Sequence, residues 1–297
     1  LYTEMIVANA IVRGDRNKLL SFKKIQNPVT LQVGGSNDSE LAEACKISEQ
    51  YGYKEINLNL GCPSKKVQKN KFGACLMQEP KLVARCIESM AKATKLPITI
   101  KTRIGYNDVE DFEFLKSFIQ TTKDAGSQKF IIHARKALLK KLTPKENLNI
   151  PPLKYDFVYK LKDFFKNDEI IINGGIKTSE DIKNHFKRVD GVMIGRAIYH
   201  SPYFLAEIER EVFGNDNIPT RSEVMEKLIP YIQEETAKGV QLNHIMRHTV
   251  GLFHGQNGSR VWKQYLSKNM CIRDADLQKV NHLMDQIKKT KNISLER

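Results

Sequence analysis

The 297-residue chain carries 48 Lys and Arg against 34 Asp and Glu, a formal net charge of +14, and 41% of its residues are hydrophobic. Length and apolar content suffice for a barrel-sized core with or without an appended domain, and the charge favours a polyanionic partner such as nucleic acid. No apolar run approaches the roughly 20 residues of a membrane span, and no basic amphipathic helix with an aromatic face stands out, so no membrane is expected. Five cysteines (Cys45, Cys62, Cys75, Cys86 and Cys271) make an odd set with no C-x-x-C pair, which fits reduced thiols in a cytoplasmic protein and calls for no metal.

Seven strand-like runs follow one another: Leu1–Ala8, Val29–Val33, Glu55–Asn59, Ile98–Thr102, Lys129–His133, Ile170–Asn173 and Gly191–Ile194. Most read as near-continuous apolar runs, as parallel strands covered on both faces do. Amphipathic segments such as Ser39–Tyr51 and Pro80–Thr94 lie between them. This βα repetition predicts an α/β fold, a (β/α)8 barrel. Eight strands close such a barrel, so seven on a chain that opens directly on a strand predict that the first is missing. Beyond about residue 215 only helical patterns remain. Thr220 with Glu223 signals a capping box, followed by an apolar stripe that runs to Gly239 past Pro230. Helices are then expected over Leu242–His254, Gly258–Asn269 and Ala275–Lys288. The division predicted is a catalytic barrel over 1–214 and a helical domain over 215–297, with Phe213–Pro219 as linker.

The residues that carry chemistry cluster at strand ends. Gln32 is polar inside an apolar run and needs hydrogen-bond partners. Gly61-Cys62-Pro63 follows the third strand at once and sets a thiol on a tight turn, where a barrel builds its active site; a small turn residue beside a proline is the rival reading. Lys101 and His133 also end apolar strands. A lysine at such a point asks for an anion, whereas a histidine is as readily satisfied by nearby backbone. Cys45 and Cys86 fall in helical patterns as small buried hydrophobes. Residues 134–154 form a long, lysine-rich connection suited to a large phosphorylated substrate, or simply a solvated face. Asn173-Gly174-Gly175 and Gly195-Arg196 end the last two strands, where glycine lets backbone N–H groups approach phosphate and Arg196 adds a fork of donors. Arg260 and Lys263 share a helix face that could grip a nucleic-acid backbone, and Trp262 between them reads as core. A phosphate site, polar strand ends and a thiol together describe a flavin mononucleotide (FMN) pocket with an acid beside it.

Asn57 to Ser64, Lys101-Thr102-Arg103, His133 to Lys136, Asn173-Gly174-Gly175 and Gly195-Arg196 resemble, in order and spacing, the motifs of tRNA-dihydrouridine synthases. Phe72 to Met77, Pro144 to Asn147 with Ile150 to Leu153, and Gly251 to Gly255 resemble the A-type branch. The resemblance implies an FMN enzyme, recharged by NADPH and acting as a monomer, that reduces the C5–C6 bond of a D-loop uridine in tRNA, around position twenty. It implies hydride delivery to C6 while Cys62 protonates C5. It assigns Gln32, Lys101 and His133 to the flavin ring and its reduced, anionic form, and Asn173, Gly174, Gly175, Gly195 and Arg196 to its phosphate. Asn59 is assigned to the target uracil, and Lys145, Arg260 and Lys263 to tRNA. Leu148 stands where the A-type pattern carries arginine, so one tRNA contact is lost or moved, and the strand that supplies an Ala-Pro-Met flavin contact has no counterpart. Two alternatives are a flavin barrel acting on a free small pyrimidine, which leaves the charge and the tail unexplained, and a non-catalytic RNA-binding barrel, against which the thiol and glycine turns argue.

Overall fold

The alternation of short strands and amphipathic helices resolves, in a computed structural model that describes residues 1–140 and 142–269, into seven parallel strands. These are β1 (Ile6–Val7), β2 (Thr30–Gly34), β3 (Glu55–Leu60), β4 (Ile98–Arg103), β5 (Lys129–His133), β6 (Glu169–Asn173) and β7 (Gly191–Met193). They pair strictly in chain order in one sheet, and helices such as Asp38–Glu49, Pro80–Ala93, Phe112–Asp124 and Tyr155–Phe164 follow successive strands. That is the winding of a (β/α)8 barrel, seven of whose strands lie among the described residues.

Two compact units make up the described chain. One comprises residues 1–175 with 184–193 and holds the whole sheet; the other comprises 176–183 with the residues from 194 onward.

Within the first unit the strands do not read as uniformly apolar. In β3, Ile56, Leu58 and Leu60 are fully buried, and Glu55, Asn57 and Asn59 alternate with them. Strand parity gives those three residues one face and register sets Gln32 of β2 and Thr99 of β4 opposite Asn57. The polar face is closed by its own hydrogen bonds. Asn59 Nδ2 donates to Gln32 Oε1 (2.8 Å), Gln32 Nε2 to Asn57 Oδ1 (3.0 Å), Asn57 Nδ2 to Thr99 Oγ1 (2.9 Å), and Thr99 Oγ1 to Glu55 Oε1 (2.7 Å). Lys129 Nζ completes the ladder at Glu55 Oε2, 2.8 Å away. A polar interior is stable here because each member has a partner; one unmatched group would cost roughly 1–3 kcal/mol.

The first expected strand shrinks. Leu1–Ala8 yields only β1 and an isolated bridge from Tyr2 to Thr30, and a helix starts at Ala8. Between them the Thr3 hydroxyl accepts from the Gln32 N–H at 3.0 Å, taking the ladder position of a strand carbonyl.

In the second unit the capping box forms as patterned, with Glu223 N donating to Thr220 Oγ1 (3.2 Å) and Thr220 N to Glu223 Oε2 (2.6 Å) ahead of the helix Arg221–Ala237. Met225, Ile232, Met246, Phe253 and Trp262 form its core. Trp262 is fully buried and its Nε1 donates to Thr249 O at 2.9 Å. The expected helix Leu242–His254 stops at Met246 and passes through a 3-10 turn, Arg247–Thr249, into irregular backbone. Gly251 explains the break: a Cβ on it would stand 1.9 Å from the His200 carbonyl oxygen, so the chain leaves the helix to pack backbone on backbone. Ser259–Asn269 forms the next helix, while the expected helix Ala275–Lys288, and Cys271, lie outside the described residues.

Candidate active site at the strand ends

Cys62 is half-buried on the turn after β3, and Asn59 builds that turn. Its Oδ1 accepts from the backbone N–H of both Gly61 and Cys62, each at 3.0 Å, while its Nδ2 is tied to Gln32. The turn is pinned from behind by Ala74 N, which donates to the Cys62 carbonyl at 3.0 Å. Gly73 comes close enough that a Cβ on it would lie 2.6 Å from Cys62 O and 2.5 Å from Val67 Cγ1. Ser64 then starts the short helix Lys65–Lys69 by accepting from Val67 N, so chain direction on both sides of the thiol is fixed.

Lys101 faces Asn59 across the β3–β4 pairing. It makes no hydrogen bond or ion pair with any described residue, and burial holds its ammonium down to about 8, with Arg103 adding to the depression and Cys62 opposing it. Lys101 opposite Asn59, and Arg103 hydrogen-bonded to Gly61 O, set an ammonium and a guanidinium beside the thiol turn.

Arg103 has no role legible in the sequence beyond membership of a motif. Only 3% exposed, it donates Nε to Gly61 O (3.1 Å) and Nη1 to Lys136 O (3.2 Å) and Asn147 O (3.1 Å). Burial lowers its pKa to about 10, which still leaves it a cation near neutral pH. It therefore clamps the thiol turn to the long loop after β5. The loop has its own ordering elements. Asn147, fully buried, accepts from Leu138 N (2.7 Å) and donates to Leu138 O (3.0 Å), and Glu110 Oε2 pairs with Lys136 (3.1 Å) and Lys154 (3.2 Å) near the loop's two ends. Lys145 is exposed at the start of a 3-10 turn, Glu146–Leu148, in which Leu148 is half-buried.

His133 and Asn173 end neighbouring strands opposite one another in register, and Asn173 Nδ2 donates to Met193 O at 2.8 Å. Gly174 and Gly175 follow with φ of 114° and 76°. A Cβ on Gly174 would stand 3.1 Å from His133 Nε2, and one on Gly175 2.5 Å from Leu153 Cδ1. Only glycine leaves room for the imidazole and keeps this turn's N–H groups unshielded. Tyr155, missed in the sequence, fixes the turn by donating its hydroxyl to Gly174 O at 2.7 Å.

The structure thus gathers Asn59, Cys62, Lys101, His133, Asn173, Gly174 and Gly175 on the C-terminal halves of β3 to β6 or the turns just beyond them, while Gln32 lies mid-strand in β2 and reaches them through its hydrogen bond to Asn59. Gln32 and Asn59 spend much of their hydrogen-bonding capacity on each other and on the turn. Gly195, Arg196, Arg260 and Lys263 belong to the second unit; all four are exposed, and the last two lie on the helix Ser259–Asn269. The remaining thiols of the described chain are less available. Burial pushes Cys45 up to about 12 and Cys86 up to about 11, and raises Cys75, whose Sγ donates to Phe72 O. No group of three or more His, Cys, Asp or Glu among the described residues could hold a metal ion, and no described helix is long and apolar enough to cross a membrane.

The sequence matches the dihydrouridine synthase (Dus) family profile over residues 1–290. It is 45% identical over 295 residues to a protein of Vibrio parahaemolyticus named tRNA-dihydrouridine(20/20a) synthase, covering 99% of this chain and 90% of that one. Proteins of the same name from Synechocystis sp. and Shigella flexneri are 47% and 46% identical over 93% and 96% of this chain, and 83% and 84% of theirs. With a thiol turn after β3, a lysine on β4 without a partner among the described residues and a double-glycine turn after β6 of a parallel barrel, and with similarity of this extent, the chain belongs to the dihydrouridine synthase family.

Proposed function

We propose that this chain reduces the C5–C6 double bond of D-loop uridines in tRNA, at position 20/20a as the names of its relatives state for them, using bound FMN and taking its reducing equivalents from NADPH. One observation carries the reading: a half-buried thiol stands on a turn braced from two sides by Asn59 and Ala74, and Lys101, whose side chain has no partner among the described residues, lies opposite that same Asn59 in the strand register. The residues fit a flavin. Gly174 and Gly175 form a positive-φ turn packed so closely on His133, Leu153 and Tyr155 that no Cβ is admitted, a turn that leaves backbone N–H groups to meet an anion, and Lys101 is a cation whose desolvation an anionic group would offset. In this reading Lys101, His133 and Gln32 hold the isoalloxazine ring, while Asn173, Gly174 and Gly175 receive the phosphate through backbone N–H groups; the family resemblance adds Gly195 and Arg196 to the phosphate.

The chemistry such a flavin supplies when bound is a hydride to C6 of the uracil. Cys62 provides the accompanying proton, transferred from Sγ to C5 on the opposite face of the base, so that one hydride and one proton saturate the bond. Asn59 acts first on the enzyme itself, holding the backbone of Gly61 and Cys62, and its remaining capacity is turned to the uracil. The target must leave its stack to reach a thiol on a strand-end turn. Lys145 on the braced loop, and Arg260 with Lys263, meet the tRNA backbone; we take the helical residues from 215 as the tRNA-recognition part of the chain and the barrel through 214 as the catalytic part. Leu148, half-buried in its loop, offers no cation to tRNA.

Mass spectrometry of tRNA after incubation with protein, FMN and NADPH tests this. Wild type is expected to add two hydrogens at a D-loop uridine and Cys62→Ala to add none at a comparable rate. Turnover of free pyrimidines with none of tRNA would reverse the choice of substrate.

A further inference from the structure

Tyr199, His200, Arg247 and His248 lie together on the surface of the second unit, and neither the barrel chemistry nor the helical core uses them. Tyr199 is 59% exposed. The rings of His200 and His248 stand nearly perpendicular to it, with centroids 5.8 and 5.9 Å away and interplanar angles of 73° and 76°, and between them the tyrosine ring keeps its exposure to solvent. Arg247 Nε donates to His248 Nε2 at 3.2 Å. A histidine accepting at Nε2 carries its proton on Nδ1, which lies 3.4 Å from the Tyr199 hydroxyl, so the group is held as one hydrogen-bonded set. Backbone packing fixes it further. Gly251 allows residues 247–251 to run directly against His200 O, which is why two segments some fifty positions apart in sequence share this patch.

An exposed aromatic set of this kind contributes little to a core, and none of Arg247, His200 and His248 is paired with a carboxylate among the described residues. An exposed tyrosine ring flanked by two imidazoles and a guanidinium, on a chain of net charge +14, is complementary to a nucleobase and its phosphate. We propose that Tyr199, seated between His200 and His248, stacks on an unpaired base of the tRNA other than the uridine being reduced, and that Arg247 contacts the adjoining phosphate. This rests on tRNA being the substrate and adds a second base contact to it.

The test uses the full chain with FMN and measures tRNA binding by fluorescence anisotropy over a salt series, with FMN affinity and dihydrouridine formation followed in parallel. Tyr199→Ala is expected to weaken tRNA binding roughly 5- to 100-fold with an unchanged salt slope, since stacking displaces no counterions. Tyr199→Phe keeps the ring and is expected to bind within about twofold of wild type, and Arg247→Ala to lower the salt slope by roughly one. Wild-type binding by Tyr199→Ala, equal losses in Tyr199→Ala and Tyr199→Phe, or loss of FMN with Tyr199→Ala would each overturn the proposal. Because Tyr199 is a surface residue, a melting temperature within a few degrees of wild type is expected for both variants, and a collapse in Tyr199→Ala would reassign the residue to structure. If wild type itself neither binds nor modifies tRNA, the substrate reading fails, which is distinct from a wild type that works and a Tyr199 that does not matter.

Discussion

Replacing Gly73 by alanine should misplace the thiol while sparing the flavin. Gly73 has φ of 76°, where an L-residue pays on the order of 1 kcal/mol, and its Cβ would stand 2.6 Å from the Cys62 carbonyl oxygen and 2.5 Å from Val67 Cγ1. Real Cβ contacts with carbonyl oxygen sit beyond 3 Å, so the turn must retreat by roughly half an ångström to one ångström. The Cys62 carbonyl also accepts from Ala74 N, so a retreat strains that bond as well. A displacement near 1 Å of a reacting group costs about a hundredfold in rate. Gly52→Ala supplies the control: Gly52 has φ of 84° but no heavy atom within 4 Å of its missing Cβ, so it carries the backbone strain without the clash. The assay is single-turnover dihydrouridine formation with pre-reduced protein, alongside flavin reduction by NADPH and thermal melting. Both variants should lose about 1 kcal/mol or somewhat more of stability, both should keep flavin and reduce it at the wild-type rate, and only Gly73→Ala should be slow on tRNA. A Gly73→Ala protein that turns over tRNA as fast as Gly52→Ala would refute the claim that Cys62 position depends on this contact.

Arg103→Met leaves the carbonyls of Gly61, Lys136 and Asn147 without their buried donor, and should cost about 3–5 kcal/mol in urea unfolding and release residues 136–150 to hydrogen exchange; wild-type protection there would count against the clamp. For Lys101 the folded pKa of about 8 lies below the ordinary lysine value of 10.5, so between those values the unfolded chain binds more protons and stability rises with pH: the penalty is full below pH 8 and gone above 10.5. Lys101→Met should remove that rise, worth up to about 3 kcal/mol, from the apoprotein's stability curve, and parallel curves for the two proteins would contradict the desolvation argument. Arg260→Ala and Lys263→Ala should each weaken tRNA binding and reduce the salt slope by about one with flavin absorbance unaltered, as expected for exposed cations on one helix; unchanged slopes would remove them from the interface.

Local features of the chain were enough for the fold class and for the strand-end positions. Near-continuous apolar runs and period-three-to-four patterns, a Gly-Cys-Pro turn and an Asn-Gly-Gly turn are short-range signals, because strand direction, turn geometry and helix capping are decided within a few residues. Six of the seven strands end within one residue of the pattern-based limit at both ends, and the Thr220–Glu223 capping box is present as written. What the tertiary structure decided is which partner satisfies each polar group. Asn57 and Asn59 stand inside a run that reads as apolar, and only the folded strand's parity and pairing register set them on one face with Gln32 and Thr99. Arg103 gained its role from carbonyls 33 to 44 positions away, and Gly251 broke a well-patterned helix because His200 O stood where a side chain would have been. Such outcomes depend on the desolvation cost of a group in the assembled interior, a quantity that exists only once distant segments have closed around it.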